Sequence, residues 1–263
     1  MAEATSQSAA AEIRVERRGK IAVLTVHSPQ RRNALSVDLS AELAATVRAA
    51  EQDEDVHAVV VTGTPPAFCA GADLEALASG TEEGLRSIYN GFLAVAQCSL
   101  PTVAAVGGAA VGAGLNLALA ADVRLAGPRA RFDTRFLQLG IHPGGGMTWM
   151  AQRIVGPQQA AAMTLFGEVL DAEQALAAGL VHRVVDGEHE QLVDAAVELA
   201  KGAEQAPREL VISTKRTMRK TAAITEHADA VNAEIVPQLE SIASPTFAER
   251  LAAMRARISS SAR

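Results

Sequence analysis

Ala67-Phe68-Cys69-Ala70-Gly71-Ala72-Asp73-Leu74 and Val111-Gly112-Ala113-Gly114-Leu115-Asn116-Leu117 are the two stretches that decide how this chain is read. Each follows a short, continuous apolar run, residues 56–62 and 102–106, that the pattern predicts as a buried strand. Each leads into helix-compatible sequence. Side chains this small let backbone N–H groups point outward and approach a ligand. Two such donors on one oxygen form an oxyanion hole, where removing one donor costs about 2.7–4 kcal/mol of transition-state stabilisation.

Working outward, Ile13 and Val15, then Ile21, Val23, Leu24 and Val26, predict two antiparallel strands joined by a turn at Arg18-Gly19-Lys20. Ser36 is placed to cap a helix carrying Leu39, Leu43 and Val47 at three-to-four spacing. Strand and helix then alternate through 102–106 and 122–125, which implies right-handed crossovers and mainly parallel pairing in an α/β fold. From Gly144 the pattern turns mostly helical, with a short strand over 181–185. Pro207 opens one late helix, 225–239 forms a second, and Ser244-Pro245 caps a third. The expected organisation is a disordered tail over 1–10, an α/β core over 11–200 and a helical segment over 201–263. That last segment cannot cover its own apolar faces alone and is expected to pack on a neighbouring subunit, on its own core, or on both.

With 263 residues and 49% hydrophobic composition the chain can bury a large interior. Only 3% of residues are aromatic and the net charge is -6, which disfavours both base-stacking surfaces and a nucleic-acid partner. Lys215, Arg216, Arg219 and Lys220 form a local basic cluster, read as a solvated helical face. The longest apolar stretch, 103–121, is rich in Gly and Ala, carries Asn116 and makes a poor membrane span. Two cysteines and no secretory signal predict a reduced, cytoplasmic setting. Cys69 sits inside the first loop. It is read as small apolar filler, against a nucleophilic thiol that no sequence-adjacent His or Lys would activate.

Four ordered motifs resemble the crotonase, or enoyl-CoA hydratase/isomerase, superfamily: the two loops above, the second followed by Ala121-Asp122-Val123-Arg124, with Pro29-Gln30-Arg31-Arg32-Asn33-Ala34-Leu35-Ser36 before them and Leu139-Gly140-Ile141-His142-Pro143-Gly144-Gly145-Gly146 after. The resemblance covers nearly the whole chain. It implies a spiral of ββα units with a C-terminal helical segment used in trimer assembly, trimers commonly pairing into hexamers. It implies an acyl-CoA as ligand, with no further cofactor, and makes the backbone N–H groups of Ala72 and Ala113 the oxyanion donors for the thioester carbonyl. Arg31, Arg32 and Ala34 would meet the CoA nucleotide, the turn of Ala70, Gly71, Ala72 and Asp73 would flank adenine and pantetheine, Leu74 and Gly112 would belong to the same acyl-CoA site, and Lys215 or Arg216 would reach the phosphates. Arginine suits that task because its planar fork makes charge-assisted bonds.

The chain departs from the family's pattern where the resemblance places acid–base groups. Enoyl-CoA hydratases of this family use two glutamates, at positions held here by Asn116 and Phe136. The aspartate of the dehalogenase branch falls near Gly144 and is absent. Asp133 and His142 are candidate substitutes. The plainer readings make Asp133 a helix N-cap before Thr134-Arg135-Phe136 and His142 an extended residue ahead of Pro143. Asp73 is read as stabilising its own loop, and Trp149 as core or acyl-pocket wall. Three functions remain open: an enolate-forming hydratase or isomerase with altered acid–base chemistry, a decarboxylase or lyase relying on the oxyanion hole, and a non-catalytic acyl-CoA binder.

Overall fold

A computed structural model describes residues 11–78 and 80–261. The tail expected over 1–10 lies outside the described residues. The chain divides into two units, residues 1–202 and 203–263.

In the first unit β1 (Glu12–Arg18) and β2 (Ile21–His27) form the expected antiparallel hairpin, turning at Gly19 with φ +64°. Helix α1 (Val37–Gln52) starts where Ser36 Oγ accepts the Leu39 N–H at 3.1 Å. There follow β3 (Ala58–Gly63), β4 (Ala67–Cys69), α2 (Leu74–Ala78), α3 (Glu82–Gln97), β5 (Thr102–Val106), β6 (Ala109–Val111), α4 (Ala113–Ala120), β7 (Val123–Ala126) and β8 (Arg131–Asp133). The unit closes with α5 (Met147–Leu165), kinked at Gly156 with φ 75°, then β9 (Leu170–Asp171), α6 (Ala172–Ala177), β10 (Arg183–Val184) and α7 (His189–Ala200).

Two sheets result, one ordered β1-β2-β3-β5-β7-β10 and one ordered β4-β6-β8-β9. Past the first hairpin every pairing in the larger sheet is parallel, as the alternation of strand and helix requires. The pairs β3–β4, β5–β6 and β7–β8 each give one strand to each sheet and then feed a helical segment, so the ββα spiral implied by the resemblance is present. Strands β3 and β5 are buried along their whole length. That explains why they read as continuous apolar runs rather than alternating ones. Helices α1 and α3 approach closely: a Cβ at Gly91 would lie 3.1 Å from the Ser40 backbone, and Ser40 Oγ donates to the Ile88 carbonyl at 2.9 Å.

The second unit holds α8 (Arg208–Thr221), α9 (His227–Ile242) and α10 (Pro245–Ser261). Ser244 caps the last of these, its Oγ accepting the Phe247 N–H at 3.2 Å. Among the described residues no helix is long and apolar enough to cross a membrane.

Candidate active site

The spiral carries the ends of β4 and β6 to one place. Parallel pairing of β4 with β6 sets the two loops side by side, and their backbones come into contact. A Cβ at Gly114 would lie 2.0 Å from the Cys69 carbonyl oxygen, so only glycine permits this approach. Gly71, at φ +110°, would place a Cβ 2.9 Å from the Val111 carbonyl oxygen and 3.8 Å from the Ala113 nitrogen. In the first loop Leu35 N–H donates to the Gly71 carbonyl at 2.8 Å and Asp73 N–H to the Leu35 carbonyl at 2.9 Å. Ala72, lying between, keeps an N–H with no hydrogen-bond partner among the described residues. In the second loop Gly112 takes φ +52° and donates to the Asp133 carbonyl at 2.9 Å, which turns the chain into α4. Ala113 is the first residue of that helix, and its N–H also has no partner among the described residues.

The segment from Arg31 to Leu35 is laced to the first loop. Ala70 N–H donates to the Arg32 carbonyl at 2.9 Å, and the exposed Arg31 guanidinium pairs with the buried Asp73 carboxylate. Asp73 thus stabilises the loop it belongs to. Asn33, buried and at φ 61°, holds the segment from inside. Its Nδ2 donates to the carbonyls of Thr64 at 2.7 Å and Ala67 at 2.8 Å, while Oδ1 accepts the Ser28 N–H at 2.9 Å. Asparagine tolerates the left-handed region better than most residues. Arg32 and Leu74 are exposed and Ala34 half-buried. Lys215 lies on α8 in the second unit.

Cys69 is buried, and burial pushes its thiol up to about 12. It is filler beneath the loop, with Sγ 3.8 Å from the Gly71 carbonyl oxygen. Trp149 is 60% exposed and so does not join the core, and the Arg153 guanidinium lies 4.0 Å from its ring centroid. That stacking lets a large amphipathic ring face water.

Beyond the second loop α4 is apolar except for Asn116, which is 1% exposed. Its Nδ2 donates to the Gly144 carbonyl at 3.0 Å, and its Oδ1 is buried without a partner. Phe136 is half-buried at the start of a 3-10 turn, Leu137–Leu139. Asp133 does not cap a helix. It ends β8, paired with Val111, and its buried carboxylate binds Arg135 at Nε, 2.8 Å away, and at Nη2. Strand pairing has taken the residue that the local sequence offers as a cap. The Arg135 guanidinium is held further above its ordinary range by that hydrogen bond and the adjoining charge. His142 is exposed, its Nδ1–H donating to the Pro143 carbonyl at 2.8 Å.

One side chain absent from the sequence-based candidates enters this neighbourhood. A Cβ at Gly144 would fall 2.2 Å from the Tyr89 hydroxyl oxygen, and one at Gly145 would fall 2.5 Å from Phe92 and 2.6 Å from Asn116 Nδ2. Tyr89 and Phe92 pack with ring centroids 5.4 Å apart. Tyr89 is the sole tyrosine of the chain, three residues before Phe92 on α3. That isolation was the one available signal.

The profile described as "Enoyl-CoA hydratase/isomerase" matches residues 16–252. The chain belongs to the enoyl-CoA hydratase/isomerase family, within the crotonase superfamily. Among members of this family, it is 55% identical over 246 residues to a "probable enoyl-CoA hydratase" of Mycobacterium tuberculosis, covering 90% of this chain and 94% of that protein. It is 34% identical over 189 residues to the 1,2-epoxyphenylacetyl-CoA isomerase of Escherichia coli, covering 69% of this chain and 71% of that one. The crystal structure of an enoyl-CoA hydratase from Bacillus anthracis superposes with a TM-score of 0.86 at 26% identity, covering 94% of this chain and 96% of that one. Enoyl-CoA hydratase/isomerase family membership thus rests on sequence and fold together.

Proposed function

We propose that this chain binds an acyl-CoA thioester and stabilises its enolate through the backbone N–H groups of Ala72 and Ala113. The observation that carries the reading is that two donors without partners stand on loops whose backbones touch. A preorganised pair of this kind costs no reorganisation when charge develops on the thioester oxygen. The CoA moiety runs along Arg31, Arg32, Ala34 and the 70–74 turn, and no cofactor beyond that CoA is used. The protein works in acyl-CoA metabolism in the cytoplasm, as a trimer or a pair of trimers.

Acid–base work does not fall to positions 116 and 136. A carboxamide and a phenyl ring carry no exchangeable carboxyl proton, and each missing general acid or base removes roughly 10²- to 10⁴-fold in rate. Hydration of crotonyl-CoA, followed by loss of the conjugated thioester absorbance, is therefore expected at least about 10²-fold below that of a hydratase with both carboxylates. The Asn116 and Phe136 side chains favour a second reading over hydration, loss of CO₂ from a carboxylated acyl group, because that departure creates the enolate without a base. Calorimetry with butyryl-CoA tests the binding half of the proposal, and exchange of its α-protons in deuterated water tests the enolate. Binding with neither exchange nor release of CO₂ from a carboxylated acyl-CoA such as malonyl-CoA makes the protein an acyl-CoA binder; absence of binding overturns the whole reading.

A further inference from the structure

We propose that His27 is a positioning residue whose neutral imidazole holds the CoA-binding segment 28–35 in place, so that acyl-CoA binds less tightly in mildly acid solution. The inference rests on the thioester reading above and adds a regulation of that same site. His27 ends β2 and is 6% exposed, and its Nδ1 lies 2.9 Å from Oγ1 of Thr64, just past the end of β3. Thr64 is fixed on two more sides: its N–H donates to the Val26 carbonyl at 3.0 Å, and its carbonyl accepts from Asn33 Nδ2 at 2.7 Å. Asn33 Oδ1 in turn accepts the N–H of Ser28, the residue after His27, at 2.9 Å. The bonds thus close a ring through His27, Thr64, Asn33 and Ser28. Beyond it the Arg32 carbonyl takes the Ala70 N–H, and the Leu35 backbone bonds Gly71 and Asp73 on either side of the Ala72 donor.

The imidazole is the member of this ring that gains charge near neutrality. Burial and the Arg14 charge push its titration below the ordinary range, against a smaller opposing pull from Glu12. Both charged groups lie on β1, Glu12 directly opposite His27 in register, and they are bonded to one another at 2.8 Å. The connection after β3 contributes the uncharged Thr64 hydroxyl. With its carboxylate shared with Arg14, Glu12 compensates a charged imidazole poorly, and a buried charge that is poorly paired is costly. Relief comes from moving the ring toward water. The ladder from β2 to β3 ends at Val26, so the end of β2 can yield while the sheet stays intact, and Ser28 moves with it. Affinity is therefore complete above about pH 6.5 and falls as pH is lowered through the depressed titration of His27.

Calorimetric titration of the purified full chain with butyryl-CoA at about pH 7 and about pH 5 tests this, with His27→Asn beside it. Asparagine sets an amide atom where Nδ1 stands and stays uncharged at either pH. On acidification the unmodified chain is expected to lose about threefold or more in affinity relative to that variant, a comparison from which ionisation of the CoA phosphates cancels. At neutral pH His27→Leu and Thr64→Val are each expected to weaken binding about fivefold, and His27→Asn to bind more tightly than His27→Leu by most of that factor. Because the two side chains act through one bond, His27→Leu combined with Thr64→Val is expected to lose no more than either alone. An equal acid loss in the unmodified chain and His27→Asn overturns the proposal, and so do additive losses in the double variant. Absence of butyryl-CoA binding by the unmodified chain at either pH removes the thioester reading itself, and this inference with it.

Discussion

Asn33 shows how much of this site rests on one side chain. Its amide binds four backbone groups, those of Ser28, Thr64, Ala67 and Phe68, while its own backbone sits at φ 61°. Asn33→Ala strands those groups in a buried place, and a loss of about 2–3 kcal/mol in a denaturant titration is expected, with acyl-CoA affinity falling in parallel. Cys69 gives a pH-dependent prediction. Its thiol rises from 9.0 to about 12 on burial, so above pH 9 the unfolded chain gives up a proton that the folded chain keeps. The folded state is then disfavoured progressively as pH rises from 9 towards 12, and stability measured across that range is expected to fall. Below it, Cys69 should resist a thiol reagent until the chain is unfolded. Small residues flagged both loops in the sequence because backbone chemistry needs small neighbours. Asn33 and Tyr89 stayed hidden as site residues because their importance lies in partners distant along the chain.

At the scale of elements, the long or fully buried pieces were legible and the three-residue strands were not. Strands β4, β6 and β8 are too short to display a period and exist because a neighbour pairs with them. The same pairing converted Asp133 from an expected cap into a strand end. Helix α4 offers a clean test of the donor at its start. Proline is tolerated at the first helical position, so Ala113→Pro removes the N–H with little cost to the helix. Turnover or α-proton exchange is expected to drop about 10²- to 10³-fold with the far-ultraviolet circular dichroism unchanged. Gly114→Ala acts differently: its Cβ collides with the Cys69 carbonyl, the loops must separate, and a loss of about 3 kcal/mol or more is expected in thermal unfolding.

For the whole molecule, the alternating pattern sufficed for a parallel α/β fold, while the spiral of ββα units came from the resemblance; that β3–β4, β5–β6 and β7–β8 divide between two sheets is seen only in the pairing. The C-terminal helices were legible from Pro207 and the Ser244-Pro245 cap, local signals that need no distant partner. Helix α9 exposes Val231, Ile235, Val236, Leu239 and Ile242 within its own unit's surface. Apolar side chains in that number suit a covered face. The proposed trimer or pair of trimers predicts a light-scattering mass near three or six times that of one chain, reduced by Leu239→Glu on α9.

The crowding at Gly144 also constrains the order in which this protein can change. A carboxylate brought in by Gly144→Asp would meet the Tyr89 phenol, and a smaller residue at 89 alone would open a void against Phe92. Each step is harmful alone and the two together relieve one another, so a scan of single substitutions would score both positions as fixed. A library varying 89 and 144 as a pair is the one in which new acid–base chemistry can surface.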